Sequence, residues 1–585
     1  MFLITTADQR FWRTTEPILF LGEWCKLYDQ RHLYEKLDTE TLPYHWDDRS
    51  RLYSDYQYLR GVYERYLDAL VPKLNEVHGL DQSARFWRII VGPWLRYFIE
   101  ILYDRYLSIA AAADRKCVSD TLISDTTQFQ PPSDFPEFNQ WFASDSYNHK
   151  LYSWLIEKMR CMPFHVVQTE EEPDAIRSRL DIRDVIARLL SRAARLTPGS
   201  WHRIALITTQ LPRLELNELN KALGQYFPWI AAPPIRVEKP PAIDSRLRHR
   251  LVLQVGNSPF ERLLDVAISV QMPLAHLEAF QHLQTRALDA YPKNTKTILT
   301  SVAETFDEAF KIWTATRVDK GARFFISQHG GLFGSGLWMS TEEHQIKVSD
   351  RFYSWGWFDE ALPSVKPMPA LKLVGVEARI RYSTSGRILW ALNSFPRYSY
   401  RMLSIPVAGQ FLRYAEDQFS LAWALPAQIR RRVLMRLYPE SYGWNEELRW
   451  RDRCPDIKIY RGRTSMEKQL SQSSLLICGY NTTTFLETLA ANFPTIVYWN
   501  PRYWELRLDA QPFYTLLEEA GIFHTSHESA ASKIKEIHEN PLRWWNSLAV
   551  QEARKQFCQR FARTSRDWIK EWKSELLSHH SYNDP

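Results

Sequence analysis

Glycine is scarce in this chain, with 20 among 585 residues, and cysteine scarcer still, with six. The cysteines stand at 25, 117, 161, 454, 478 and 558 and form no C-x-x-C pair. That spacing excludes a zinc ribbon and a dithiol redox motif, and it fits free thiols in a cytoplasmic protein. No internal repeat and no low-complexity segment is visible, which excludes solenoids and propellers. A long apolar run is missing as well. The longest such region, Ile89 to Ala113, is broken by Arg96, Glu100, Asp104 and Arg105, so it does not read as a membrane span. The first residues carry Asp8 and Arg10 and lack the apolar core of a signal peptide. Charge of one sign is also absent in excess. With 74 basic and 68 acidic residues the net charge is +6, too mild for a nucleic-acid partner, though it permits peripheral association with an anionic membrane.

Aromatic residues are abundant: 23 Trp, 28 Tyr and 29 Phe. Their rings fill large cores and can line sugar sites with flat apolar faces. The length calls for two or three domains.

The segment Ser473 to Asn500 reads as strand, turn, helix, strand, the plan of a parallel sheet. Its turn, Asn481-Thr482-Thr483-Thr484, places hydroxyls and free N–H groups at a helix N-terminus, where the dipole favours an anion. The competing reading is that one of these residues merely caps the helix.

Upstream, Pro17 to Trp24 reads as a buried strand, followed by a polar and aromatic loop at 44–49. The spacing of Leu52, Tyr56, Leu59, Tyr63, Tyr66 and Leu70 predicts a helix, which Gly79 ends. A second helix spans roughly Ser83 to Ala113, interrupted near Pro93. Residues 115–150 read as a surface loop or a partly ordered insertion, and helices are expected at Tyr152–Arg160 and Asp181–Arg195. Strands are expected at Ile204–Thr209 and Leu251–Val255, with the pairs Pro233-Pro234 and Pro240-Pro241 marking a loop between them. The strand Arg323–Gln328 runs into His329-Gly330-Gly331, at the kind of strand end where open α/β sheets place their sites. From Arg387 a second αβ unit follows, and then a helical tail rich in Trp and Phe.

Two αβ units in series with a helical tail match the layout of GT-B glycosyltransferases. The expected fold is therefore α/β and GT-B-like: two Rossmann-like domains facing a cleft, a large helical N-terminal elaboration, and a C-terminal crossing helix. The expected division is 1–375 for the acceptor side, including the helical elaboration at 50–200, then 385–545 for nucleotide-sugar binding, then 546–585 for a tail packing back.

An ordered set of segments carries a closer resemblance: LGEWC (21–25), YHWDDR (44–49), RFWRIIVGPWL (85–95), SQHGG (327–331), DRFYSWGW (350–357) and NTTTFLETLAANFP (481–494). The chain resembles a bacterial family of transferases encoded with surface-polysaccharide genes. It is more distantly similar to GT-B enzymes that transfer Kdo or other nonulosonic acids from CMP-sugars. Those carry a His-Pro motif after a strand, where this chain has Arg436-Leu437-Tyr438-Pro439, with tyrosine in place of histidine. Thr482 and Thr483 match their Ser/Thr pair, and Glu487 lies in the helix that would face a ribose.

The resemblance implies transfer of a Kdo or nonulosonic-acid sugar from a CMP-linked donor to a polysaccharide or lipopolysaccharide precursor, at the cytoplasmic face. The alternatives are a UDP-, GDP- or CDP-alditol-dependent transferase on the same fold and a non-catalytic glycan-binding protein. No cofactor beyond the donor is expected. No metal is expected either, since no D-x-D follows a strand. Glycosyl transfer needs donors on the departing phosphate and a base for the acceptor proton. The donor-side candidates are Arg436, Tyr438, Pro439, Arg461, Asn481, Thr482, Thr483, Thr484 and Glu487. The candidates for base or nucleophile are Asp48, Asp47, His329, Glu23 and Glu278.

Overall fold

The computed structural model describes residues 1–168, 202–226, 235–237, 241–462 and 464–578. The helix expected at 181–195 and the prolines at 233, 234 and 240 lie outside the described residues.

Three parallel sheets organise the chain. The first contains β1 (Phe2–Ile4), β2 (Ile18–Phe20), β3 (Thr39–Thr41), β4 (Asp120–Ser124) and β5 (His165–Val167), in the order β3-β2-β1-β4-β5. The second contains β6 (Ile204–Ile207), β7 (Thr297–Thr300), β8 (Arg323–Ser327), β9 (Arg351–Ser354) and β10 (Val365–Pro367), in simple sequential order. The third contains β11 (Arg387–Ala391), β12 (Val433–Arg436), β13 (Lys458–Ile459), β14 (Ser473–Cys478), β15 (Thr495–Tyr498) and β16 (Phe523–His524), in the order β13-β12-β11-β14-β15-β16. That last order reverses direction between β11 and β14. Such a switch point opens a crevice at the carboxyl ends of the strands, where α/β folds bind nucleotides. β14 is buried along its whole length, as a central parallel strand covered on both faces must be.

The fold is thus α/β with parallel sheets in series, as the GT-B-like layout requires. The N-terminal elaboration holds a sheet of its own besides its helices. Its strand β2 falls within the buried strand expected at Pro17 to Trp24, whereas β1 and β3, of three residues each, are too short for periodicity to reveal. Within the segment read as a loop at 115–150 lie β4 and two helix starts, each capped by a side chain, Asp134 and Ser144.

Two long helices bridge the first two sheets. Helix α1 (Arg49–His78) buries the predicted Leu52–Leu70 stripe and stops at Gly79, whose left-handed φ of 64° suits glycine. Helix α2 (Ala84–Asp114) runs through Pro93 without the expected break. Residues 91–95 are buried on every side there, and tertiary packing offsets the lost hydrogen bond. The strand expected at Leu251–Val255 is irregular chain. The Asp265 carboxylate accepts from the Val255 and Gly256 N–H groups (3.2 and 3.1 Å), which satisfies the backbone without a ladder.

The tail crosses back. Phe557 of the Leu548–Phe561 helix packs on Phe485 and Tyr514 of the third unit. In the last helix, Trp572 lies edge-on to Tyr353 of β9 and donates from Nε1 to the Pro369 carbonyl (3.0 Å).

Candidate functional site

The second and third sheets meet at their carboxyl edges. The turn after β14 leads into the Thr483–Ala490 helix, whose N-cap residue, Thr482, makes no side-chain capping bond. The expectation that a side chain merely caps this helix is therefore not met. Among the described residues the Thr483 and Thr484 N–H groups meet no side-chain acceptor, while the Phe485 backbone meets the Cys478 thiol; the first two suit an anion. Asn481 is fully buried; its Oδ1 accepts from the Tyr514 hydroxyl (2.9 Å), while its Nδ2 has no partner. Thr484 is occupied by the Tyr480 hydroxyl (2.6 Å).

Opposite stands the turn after β8. Thr483 Oγ1 accepts from Gly331 N–H (3.0 Å). A Cβ on Gly331 would lie 2.3 Å from the Thr482 carbonyl oxygen, so glycine here permits backbone-to-backbone contact. Gln328 holds the turn: its Nε2 donates to the Gly330 carbonyl (2.7 Å), and its Oε1 accepts from Trp355 N–H and Trp357 Nε1 (2.9 and 2.8 Å). The DRFYSWGW segment is thereby explained as a brace for SQHGG.

His329 sits in this junction, with Nδ1 buried and unpartnered. Burial chiefly, and then the nearby Arg401 and Lys372 charges, push its imidazole down to about 3. Arg401 comes from the loop after β11, across the switch point from Asn481. That loop is pinned to the first unit: Arg397 pairs with Asp145, Arg105 donates to the Ser399 carbonyl (2.6 Å), and Met402 N–H donates to Glu100 (2.7 Å). The Arg401 guanidinium stacks on Tyr400 (4.8 Å), has a buried unpartnered Nε, and pairs with no carboxylate among the described residues. Lys372 lies 3.3 Å from Glu487, whose carboxyl is raised by burial against the opposing pull of Lys372.

A family model described as LIC12162 family transferase matches residues 1–576. The chain belongs to the LIC12162 family of transferases. No curated protein matches this transferase. Among solved structures it is similar to LpCGTa in complex with UDP, at 13% identity and TM-score 0.31, covering 69% of this chain and 98% of that one. Anabaena HepE in complex with UDP-glucose is similar at 14% identity and TM-score 0.31, with 64% and 99% covered. The Neisseria meningitidis UDP-GlcNAc 2-epimerase bound to UDP-GlcNAc is similar at 11% and 0.29, with 51% and 81% covered. At these scores the likenesses are of layout alone. The expected CMP-linked Kdo or nonulosonic-acid donor is corrected: the nucleotides in these three neighbours are uridine nucleotides, and Tyr438 already departs from the His-Pro motif of the CMP-sugar enzymes.

The other expected residues are dispersed in the transferase. Arg436 donates to the Thr464 carbonyl (2.9 Å) and to Gln469, and Arg461 pairs with Glu447 (2.8 Å) on the surface. Both line a cleft of ≈ 920 Å³ with Tyr438 and Pro439, but their guanidiniums are already engaged. Asp48 caps α1, accepting from Ser50 and Arg51 N–H (3.0 and 3.2 Å). Glu278 is buried in a two-point pair with Arg248 (2.7 and 2.8 Å). Neither faces the junction. Glu23 and Asp47 line a separate cleft beside the first sheet. Sequence reading missed Arg401 and Lys372. The available signal was an arginine-bearing aromatic loop, 393–401, directly after a central strand. Among the described residues no group of His, Cys, Asp and Glu is placed to hold a metal, and no helix is long and apolar enough to cross a membrane.

Proposed function

We propose that this transferase moves a glycosyl group from a nucleoside-diphosphate sugar, UDP-linked, to a hydroxyl of a surface-glycan precursor at the cytoplasmic face. The observation that carries the reading is the uncapped helix N-terminus at Thr482–Thr484, facing Arg401, Lys372 and His329. In this reading the diphosphate lies against the 482–484 N–H groups, with Arg401 and Lys372 offsetting its charge and stabilising it as it departs. Glu487 stands one helical turn further on and takes the ribose hydroxyls.

His329 is the base. It is unprotonated at neutral pH, and a bound diphosphate raises its pKa by cancelling the two cations. The division of labour follows the same plan: residues 1–375 hold the acceptor, 385–545 the donor, and 546–585 tie the two together.

Calorimetric titration with UDP, GDP and CMP tests the reading. UDP is expected to bind, and Arg401→Ala to weaken it. Binding of UDP that is indifferent to Arg401 would refute the placement.

A further inference from the structure

The cleft holding Glu23 and Asp47 has a chemistry of its own. It lies between the carboxyl ends of β2 and β3 in the first sheet and the carboxyl end of β15 in the third, and measures ≈ 930 Å³. It shares no lining residue with the Arg401–Lys372–His329 group. Two of its charges are neutralised locally: Glu23 by Lys26 (2.8 Å) and Glu416 by Arg453.

Four others are not. Asp47 accepts only from Gln410 Nε2 (3.3 Å). Arg413 and Arg502 have no carboxylate within ion-pair distance among the described residues, although both are close enough to act on Asp47 electrostatically. Asp417 faces the same space beside Asn500 and Tyr503. Two carboxylates and two guanidiniums held apart around one space sum to zero charge. Such a lining selects neither anion nor cation. It suits a ligand whose every polar group both donates and accepts, namely a sugar hydroxyl: carboxylates take the proton, guanidiniums give to the oxygen. The partly exposed ring of Tyr44 supplies apolar surface for a sugar ring, backed by the buried rings of Tyr503 and Trp24. The volume is that of a small-ligand pocket and admits two or three sugar units.

We infer that this cleft binds a neutral oligosaccharide stretch of the glycan acceptor, away from the reacting centre. The inference rests on the proposed glycosyl transfer for the word acceptor, and on the cleft alone for the sugar.

Saturation-transfer NMR with maltotriose, chitotriose and mannotriose on the full chain tests it, with UDP titrated in parallel. At least one trisaccharide is expected to receive saturation. Asp417→Asn and, separately, Arg502→Gln should weaken that binding about tenfold, with UDP affinity unchanged as the check on folding. No transfer to any of the three, or transfer equal in wild type and both variants, overturns the inference. Trisaccharide binding without UDP binding would sustain the sugar cleft while removing the donor reading.

Discussion

Arg401 is the residue on which the donor reading depends most. Its Nε is buried without a partner and no carboxylate pairs with the guanidinium among the described residues, an arrangement that is costly unless an anion joins it. Arg401→Ala is expected to weaken UDP binding by about 1.5–3 kcal/mol, the worth of a charge-assisted hydrogen bond. Calorimetry reads this directly, and Arg401→Lys should recover part of the loss.

His329 gives a pH signature. Its folded pKa of about 3 lies below the ordinary 6.5. The unfolded chain takes up this proton as pH falls below 6.5, and the folded chain does not until about 3. The stability owed to the neutral ring is therefore present at neutral pH and is lost progressively as pH falls from 6.5 toward 3. UDP reverses part of the shift, because it offsets the Arg401 and Lys372 charges. Imidazole resonances followed by NMR should show the His329 pKa rising on addition of UDP. An unchanged or lowered value would place the nucleotide elsewhere.

At the scale of elements, two turns at the ends of β8 and β14 make the site by touching. Gly331→Ala forces its new methyl to within 2.3 Å of the Thr482 oxygen, so one turn must retreat. The sheets lie behind that contact and should survive. A displacement near 1 Å is worth about 100-fold in rate, and steady-state assays with a UDP-sugar should show a loss of that order at nearly unchanged melting temperature. Much of this element was legible in the sequence. The NTTT helix start, the SQHGG strand end and the Gly79 stop are local signals. The brace of Gln328 by Trp355 and Trp357 was visible only as two separate motifs, because nothing in local spacing says that residues 27 and 29 positions apart meet.

At the scale of the whole molecule, the three sheets are joined by contacts far apart in sequence. Arg49 reaches from the start of α1 to Glu505 in the third unit, with two hydrogen bonds of 2.6 and 2.7 Å, and donates also to Gln410 (2.8 Å). From sequence, the neighbouring Asp47 and Asp48 are candidates for base or nucleophile, and this arginine has no expected partner in the third unit. A partner 456 positions away has no local trace, so the clamp was not legible. Glu505→Gln leaves the mostly buried Arg49 charge without its partner and should cost about 3 kcal/mol. Denaturant unfolding measures the loss, and a double-mutant cycle with Arg49→Met separates the pair from its surroundings.

The central claim is that a uridine diphosphate lies where the second and third sheets touch. Hydrogen–deuterium exchange of the full chain with and without saturating UDP tests it most directly. The account predicts slower exchange in the peptides covering 479–487, 326–334 and 396–404 together. Protection confined to other segments, or no change anywhere at saturating UDP, would contradict it.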